Sequence, residues 1–279
     1  MSPADLLEHW AAQRSGASGA AWLTAQVSAV ANDPAALGPA LSAAPRRVGR
    51  AALTPLPEEL AAAAQARPGW DPSAWTVGDA ARVRLILAAP APALPYLLRP
   101  LLAAADAGES VSIFRGLPLY GSPEQLIPLA TDGLRTAMRT VFEAIAHRNP
   151  FPTEFFPHSA WNHMVLKALF IESTLWPIVG LDRRWNAELA GVLRDYAHER
   201  WAVGRLVTPE LWRGVGRFGG AEARYDLLRL LRNGSPVERE AAALALSDAP
   251  TPSDLIRVAP ELAEAVRSGR LTWNAITPG

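Results

Sequence analysis

The sequence predicts an all-α protein built from antiparallel helical hairpins. Apolar residues recur at helical spacing through nearly all of the 279-residue chain. Prolines and glycines divide this pattern into segments of helix length, with proline opening and glycine following several of them. Short Ala-rich helices joined by tight turns are typical of repeats that stack helical hairpins. We therefore predict a HEAT-like α-solenoid or a curved helical array.

In the first part of the chain, Ala/Leu-rich patterns predict helices over residues 3–13 and 20–31. A Pro/Ala-rich stretch follows through Pro55. Helices are predicted again over residues 56–66, 77–87 and 94–105. The turn-rich segment 67–75 separates the first of these from the second.

One segment, residues 110–120, has the composition of a strand, because Val111-Ser112-Ile113-Phe114 is rich in β-branched and aromatic residues. Pro118 would end such a strand quickly. Beyond it, the spacing of apolar residues predicts helices over 123–129, 132–148, 159–175, 182–203 and 209–217.

The C-terminal part has the clearest pattern. Residues 221–231 and 237–247 predict two amphipathic helices joined by Asn233-Gly234-Ser235-Pro236, a turn with glycine after one helix and proline opening the next. Two further helices are predicted over 252–258 and 260–268. We divide the chain into a variable N-terminal helical region (1–75), a helical core (76–218) and HEAT-like C-terminal helices (219–279), within one continuous domain.

Composition excludes several classes of protein. Hydrophobic residues make up 49% of the chain and charged residues 19%, which is typical of a globular protein. The net charge is zero and no like charges cluster, which disfavours a nucleic-acid-binding protein. Cysteine is absent, so disulfides and thiolate chemistry are excluded. The start lacks a signal-peptide pattern and no apolar run has transmembrane length, so we expect a cytoplasmic protein that is not integral to a membrane.

Lys167 is the one lysine among 27 lysine and arginine residues. It lies on the predicted helix 159–175, which is apolar almost all round, in a narrow strip with His163 and Thr174. A buried ammonium needs a partner. Two interpretations are open: a structural ion pair or a side chain at the edge of the core, and a ligand-binding or catalytic lysine with a lowered pKa. We favour a protein carboxylate first and an anionic ligand second.

Other polar residues give a less specific indication of function. Glu143 and His147 stand four residues apart on one helical stripe, which suits either an exposed face or acid–base work. His198-Glu199 resembles the start of a zinc-binding helix, but Ala202 stands where the second histidine would be. Arg200 falls within an apolar face and calls for a buried partner. No cofactor motif is present, and we predict no metal site.

Three consecutive runs resemble the EboA family of bacterial proteins: residues 133–146, residues 148–152, and residues 160–170, which include Trp161-Asn162-His163 and Lys167. The likeness continues through Gly180-Leu181-Asp182-Arg183-Arg184, residues 195–201 and residues 209–213, and is strongest over about 131–218. The chain departs from the family at two positions. His163 stands where the family has Gln, and Glu172 stands where the family has Gly.

The resemblance implies a genetic context rather than a reaction. EboA-like proteins are encoded beside a membrane prenyltransferase, a metal-dependent hydrolase and sugar-enzyme-like proteins, in a cluster associated with exporting a pigment precursor in cyanobacteria. The implied partners are other proteins of this cluster, the prenyltransferase, and a small anionic or lipid-linked metabolite. The candidate ligand-binding residues are Glu143, His147, Asn149, Trp161, Asn162, Lys167, Arg183, Arg184, His198, Glu199 and Arg200.

Two functions follow from these observations. The favoured one is a non-enzymatic helical protein that binds a small molecule or partner in support of metabolite synthesis or export. The alternative is an enzyme acting on a phosphorylated or prenylated intermediate. In that enzyme Lys167 and arginines would hold an anion, and His/Glu pairs would move protons.

Overall fold

The computed structural model describes residues 1–249 and 253–277. Helices make up most of these residues, and no β-strand forms among them. An isolated antiparallel bridge pairs Ala52 with Thr76. The prediction of an all-α protein is therefore confirmed.

The chain forms two compact units, Met1–Pro157 and His158–Gly279. The three-part division predicted from the sequence rests on the family resemblance and on the spacing of apolar residues. It does not rest on packing, and it stays a prediction. The helices of the N-terminal unit are α1 (Pro3–Asn32), α2 (Leu37–Val48), α3 (Pro57–Ala66), α4 (Val77–Ile86), α5 (Leu94–Ala104), α6 (Ala107–Arg115), α7 (Pro123–Gly133), α8 (Arg139–Ala146) and α9 (Phe151–Phe155).

In the C-terminal unit the described helices are α10 (His158–Phe170), α11 (Ala187–Ala202), α12 (Val215–Phe218), α13 (Gly220–Asn233), α14 (Pro236–Ser247), α15 (Ser253–Val258), α16 (Pro260–Arg267) and α17 (Trp273–Ile276). The predicted hairpin of α13 and α14 is confirmed. The Ser235 side chain caps α14 and Pro236 opens it, as the turn sequence predicts. Of the predicted helix 252–258, Pro252 lies outside the described residues.

Helix α4 is the centre of the N-terminal unit. Nine of its ten residues are buried, so it has almost no solvent face. Helices α1, α2 and α6 pack around it. Such a helix is normally apolar throughout, yet α4 contains the buried charged residues Asp79 and Arg82.

The strand predicted near Val111 is wrong, because these residues lie in helix α6. The Asp106 side chain accepts a hydrogen bond from the backbone N–H of Glu109, and the Glu109 side chain accepts one from the backbone N–H of Asp106. This reciprocal pair satisfies two backbone donors that a helix start leaves without partners. Capping and burial of Ile113 and Phe114 outweigh the β-propensity of the short run.

Several helix boundaries also differ from the prediction. The two helices predicted over 3–13 and 20–31 form one element, α1, that is interrupted at Gly16 (φ 70°). Helix α2 lies in the Pro/Ala-rich stretch to which no element was assigned, and contains Pro45. The helix predicted over 132–148 is interrupted after Gly133, where a Cβ atom would lie 2.4 Å from the Phe114 ring. The helix predicted over 209–217 is interrupted at Gly214, where a Cβ would lie 2.0 Å from the Trp185 ring.

Among the described residues, no single helix is long and apolar enough to cross a bilayer. One pair of helices, Val77–Ile86 and Ala91–Ala104, reaches that length and composition only when the two are joined across a 100° bend.

Helix α10 ends at Phe170 in a Schellman motif. The N–H of Ser173 donates to the carbonyl of Ala168 (2.8 Å), and the N–H of Glu172 donates to that of Leu169 (3.2 Å). This motif requires a left-handed residue at its turn, normally glycine. Here that residue is Glu172, with φ 58°. The position at which the resemblance leads us to expect glycine is thus one of backbone strain.

Replacing Glu172 by glycine should stabilise the C-terminal unit. The left-handed conformation costs a side-chain-bearing residue about 1 kcal/mol, which Glu172→Gly would remove. Urea unfolding should show this gain in the free energy of unfolding. Thermal unfolding should show a rise of about 2–4 °C in melting temperature. The matched control is Glu199→Gly, within α11, which should lower stability by about 1 kcal/mol because its backbone is helical. Equal losses in both variants would contradict the strain at Glu172.

Candidate functional site

A cavity of about 670 Å³ lies within the N-terminal unit. It is bounded by the end of α2, the loop before α4, helix α4 itself, one side of α6 along its length, and α8 with the residues after it. Its apolar wall includes Trp75, Val111 and Ala144. The charged side chains that line it are Arg50, Asp71, Asp79, Arg82, Asp106, Arg115, Glu143 and Arg148.

Asp79 is the best-satisfied charge on this surface. Its carboxylate accepts hydrogen bonds from the Thr76 backbone N–H (2.8 Å) and hydroxyl (2.8 Å) at the start of α4. It also accepts from the Ser112 hydroxyl (2.6 Å) and the Arg115 guanidinium (2.6 Å) on α6. A buried carboxylate is tolerated when its lone pairs are filled in this way. Asp79 therefore joins α4 to α6.

Arg82, one turn further along α4, is also buried. Its Nε donates to the carbonyl of Leu41 on α2 (2.9 Å), and one terminal nitrogen lies 3.4 Å from the Ser112 hydroxyl. The nearest carboxylate oxygen, from Glu109, is 3.8 Å away. Burial lowers the pKa of Arg82, while the acidic groups of Glu109, Asp106 and Asp79 oppose this shift and Arg50 adds to it. Arg82 thus presents a positive charge that is only partly compensated.

The apolar wall continues into the core through tryptophans. The Trp75 ring packs against that of Trp70, with centroids 5.9 Å apart, and Trp70 packs against Trp10 at 5.7 Å. All three are buried. This cluster fixes the loop that carries Trp75 to the cavity.

Three of the predicted residues line this cavity: Glu143, His147 and Asn149. Glu143 accepts a hydrogen bond from Arg139 one turn earlier on α8 (2.7 Å). Asn149 is buried, and its amide donates to the carbonyls of Phe114 (3.1 Å) and Ala144 (3.0 Å). Its oxygen accepts from the N–H of Phe151 (3.0 Å). Asn149 therefore holds α6, α8 and α9 together as well as bordering the cavity.

The remaining predicted residues lie in the C-terminal unit. Lys167 is partly buried on α10, and burial lowers the pKa of its ammonium. The assignment of its partner, as a protein carboxylate or a ligand, stays a prediction. Trp161 is fully buried on the same helix, and the Arg184 guanidinium lies 4.6 Å from its ring centre. That stacking is a cation–π contact.

Asn162 and Arg200 are both hydrogen-bonded within this unit. Asn162 exchanges hydrogen bonds with Asn186, whose side chain in turn caps α11. Arg200 donates two hydrogen bonds to the carbonyl of Leu206, at 3.0 and 2.9 Å. The prediction of a buried partner for Arg200 is wrong, because its partner is the backbone carbonyl of Leu206, a residue that is 83% exposed. Arg183 and Glu199 are exposed.

His198 pairs with a residue that sequence analysis did not select. Its Nε2 lies 2.8 Å from the buried carboxylate of Asp226 on α13, which also accepts from Arg194 (2.9 Å). The His198 ring packs on Trp201. This arrangement joins α11 to α13. Among the described residues, no group of three or more histidine or acidic side chains could hold a metal ion.

Sequence analysis missed Asp79, Arg82 and Arg115 at the cavity. A usable signal was present, because Asp79 and Arg82 are charges within a helix whose other residues, apart from Arg84, are apolar or glycine. Thr76 and Asp79 also have the spacing of a capping box. Glu210 lies in the run 209–213 that resembles the family, and sequence analysis gave it no role. In the structure its carboxylate is buried and accepts from the N–H groups of Leu175 (2.8 Å) and Trp176 (2.9 Å).

Comparison with known proteins identifies the family. The family model for EboA, described as a metabolite traffic protein, matches residues 3–216. No curated protein and no solved structure gives a match. Because the family model spans well over half of the chain, the chain belongs to the EboA family.

Replacing Asp79 should strongly destabilise the N-terminal unit. Asp79→Asn would remove the carboxylate that balances Arg115 and would place an amide against the Thr76 and Ser112 donors. Breaking a buried pair of this kind costs about 3 kcal/mol, measurable by urea unfolding. Asp132→Asn, at an exposed position on α7, should change stability by less than about 0.5 kcal/mol. Similar small effects in both variants would contradict a structural role for Asp79.

Glu210 should give the C-terminal unit a distinctive pH dependence. Burial raises its pKa above the ordinary 4.5, although hydrogen bonds from Leu175 and Trp176 oppose the shift. A carboxyl whose pKa is raised on folding contributes stability that is present below its unfolded value and lost as pH rises through the folded value.

The free energy of unfolding of the wild type relative to Glu210→Gln should therefore fall as pH rises from about 4 towards 7. Denaturant titrations at several pH values would measure this difference. Glu188→Gln, an exposed position on α11, should give a flat difference. A Glu210 difference that rose with pH would show that the hydrogen bonds outweigh burial.

Proposed function

We propose that this EboA-family chain binds a small metabolite in the cavity of its N-terminal unit and carries it without changing it chemically. The observation that supports this proposal is the cavity itself. Its volume of about 670 Å³ falls within the range of about 300–1,000 Å³ that is typical of small-molecule sites. It combines an apolar wall with a few placed polar groups, which is the composition such sites have.

The polar floor of the cavity supports binding because it is ordered by protein contacts. Asp79 is held by four hydrogen bonds and Asn149 by three. Groups fixed before a ligand arrives lose little conformational freedom on binding. The ligand would thus meet a site that is already formed.

The same contacts favour carriage over catalysis. A general acid or base must exchange a proton with the substrate, and a group tied to protein donors is poorly placed to do so. Asp79 and Asn149 are tied in this way, and Glu143 accepts from Arg139. The family description, a metabolite traffic protein, agrees with binding followed by release.

The enzymatic alternative placed an anion on Lys167 with Arg183, Arg184 and Arg200. Two of these arginines already have protein contacts, Arg184 with the Trp161 ring and Arg200 with the Leu206 carbonyl. This makes the N-terminal cavity the better-supported site.

Finer features of the family role are also proposals. We propose a HEAT-like stacking for the hairpins of α13–α16, on the basis of their length and tight turns. We also propose that the carrier works in the cytoplasm and passes its ligand to other proteins encoded in the same cluster or to a membrane prenyltransferase. The family resemblance supports this proposal.

Blocking the cavity should abolish metabolite binding. Ala107 is an exposed lining residue in the first turn of α6, so Ala107→Trp would fill the space with little effect on the core. Purified protein would be mixed with a small-molecule extract, separated by size exclusion and denatured, and the released compounds identified by mass spectrometry.

We expect wild type and Ala64→Trp, an exposed alanine on α3 outside the cavity, to enrich the same compounds. Ala107→Trp should lose them, and the recovered compounds should have unchanged masses. Retention by Ala107→Trp would show that the cavity is not the site. Time-dependent conversion of a retained compound would favour the enzyme.

A further inference from the structure

We propose that the ligand of this cavity carries an anionic group, a carboxylate or a phosphate, that binds between Arg50 and Arg82 beside the N-terminus of α6. The inference rests on the proposed function and specifies its ligand. The cavity lining contains four acidic and four basic side chains, so its formal charge alone does not select a ligand. The kind of ligand follows instead from which of these charged side chains are already paired with other groups of the protein.

All four acidic side chains have protein donors. Asp79 accepts from Arg115 and Glu143 from Arg139. Asp71 lies 3.3 Å from Arg148 and accepts from the N–H of Ser73. The Asp106 side chain accepts from the N–H of Glu109 at the start of α6. Three of these carboxylates are thus paired with an arginine, and Asp106 caps the N-terminus of α6.

The basic side chains divide into two groups. Arg115 and Arg148 are each paired with a carboxylate of the cavity. Arg50 is exposed at the rim, and it has no ion pair among the residues that the structure describes. Arg82 lies at the floor, with two of the five N–H donors that a guanidinium has directed at the neutral acceptors Leu41 and Ser112. Glu109 is the only carboxylate within 4 Å of Arg82 among the described residues, at 3.8 Å, which is beyond hydrogen-bond distance. The positive charge that the protein compensates least is therefore that of Arg50 and Arg82.

These two arginines also repel each other. Arg50 is close enough to contribute to lowering the pKa of Arg82, after the larger effect of burial. An anion between two guanidinium groups would replace this repulsion with two charge-assisted interactions. Both guanidinium groups line the same cavity, and one of them is buried while the other is exposed.

The start of α6 adds backbone donors at the same place. Ala107 and Gly108 both line the cavity in the first turn, whose N–H groups have no acceptor within the helix. A Cβ atom at Gly108 would lie 3.3 Å from Asp106 Oδ1 and 3.4 Å from a terminal nitrogen of Arg82, so this residue borders both charges. Asp106 caps the helix, and the backbone N–H groups of Ala107 and Gly108 beside Arg82 still favour a negative charge.

The cavity is much larger than an inorganic anion, and its opposite wall is apolar. Trp75, Val111 and Ala144 offer a surface for a ring or an aliphatic body. We therefore specify an organic anion, with its charged end at Arg50 and Arg82 and its apolar part against Trp75.

The test uses matched aromatic probes on the full chain. Isothermal titration would compare phenylacetate and phenyl phosphate with neutral phenylacetamide and cationic phenethylamine. We expect at least one of the two anions to bind about tenfold more tightly than the amide and the amine, the difference that one charge-assisted hydrogen bond supplies. The preferred anion distinguishes a carboxylate ligand from a phosphate ligand.

Arg50→Gln should reduce the affinity for the preferred anion about tenfold, and Arg50→Lys should reduce it less because the charge is kept. Arg46→Gln is the matched control: Arg46 is exposed in the last turn of α2 and does not line the cavity, so binding should be unchanged. Ala107→Trp should abolish binding of the anion.

Three results would overturn the inference. Equal binding of the anionic, neutral and cationic probes, all blocked by Ala107→Trp, would refute the anion preference and leave the proposed carrier function standing. Anion binding that survives Ala107→Trp, or is equally weakened by Arg50→Gln and Arg46→Gln, would place the anion elsewhere. No binding of any probe, with no compound retained from the extract, would refute both the inference and the carrier.

Discussion

The N-terminal unit depends on one constraint, which is the burial of the Asp79 carboxylate on a helix without a solvent face. Helix α4 is enclosed by α1, α2 and α6, so Asp79 cannot reach bulk water through its own helix. Its charge must be satisfied by neighbouring protein groups. Thr76 satisfies it locally, and Ser112 and Arg115 do so from α6. The position of α6 against α4 therefore follows from this requirement as well as from apolar packing.

The polar network extends beyond Asp79 along the floor of the cavity. Ser112 lies between Asp79 and Arg82, and Arg82 reaches the carbonyl of Leu41 on α2. Three helices are thus connected by polar contacts whose directions are fixed. The cavity beside this network, lined by Trp75 on its apolar side, is the site we propose for the ligand.

The sequence predicted helices well where capping and periodicity agreed, as in α13 and α14. It failed at Val111–Phe114, where composition favoured a strand but the Asp106–Glu109 capping pair decided for a helix. Of the residues that line the cavity, the sequence singled out Glu143, His147 and Asn149 but not Asp79 and Arg82. Periodicity reports which face of a helix is buried. It does not report which charges from different helices meet, because that depends on helix packing.

A carrier must also release its ligand, and the difference in burial between Arg82 and Arg50 is compatible with such release. Arg82 is buried and held by Leu41, so it can orient a ligand but contributes little motion. Arg50 is exposed and follows Gly49, which has φ 103°, at the end of α2. An exposed arginine is screened by salt and free to change rotamer. Under the proposed function, the affinity for the ligand would come mainly from Arg82, and exchange of the ligand would depend on Arg50. Binding would therefore weaken with ionic strength through Arg50, without loss of the folded network below it.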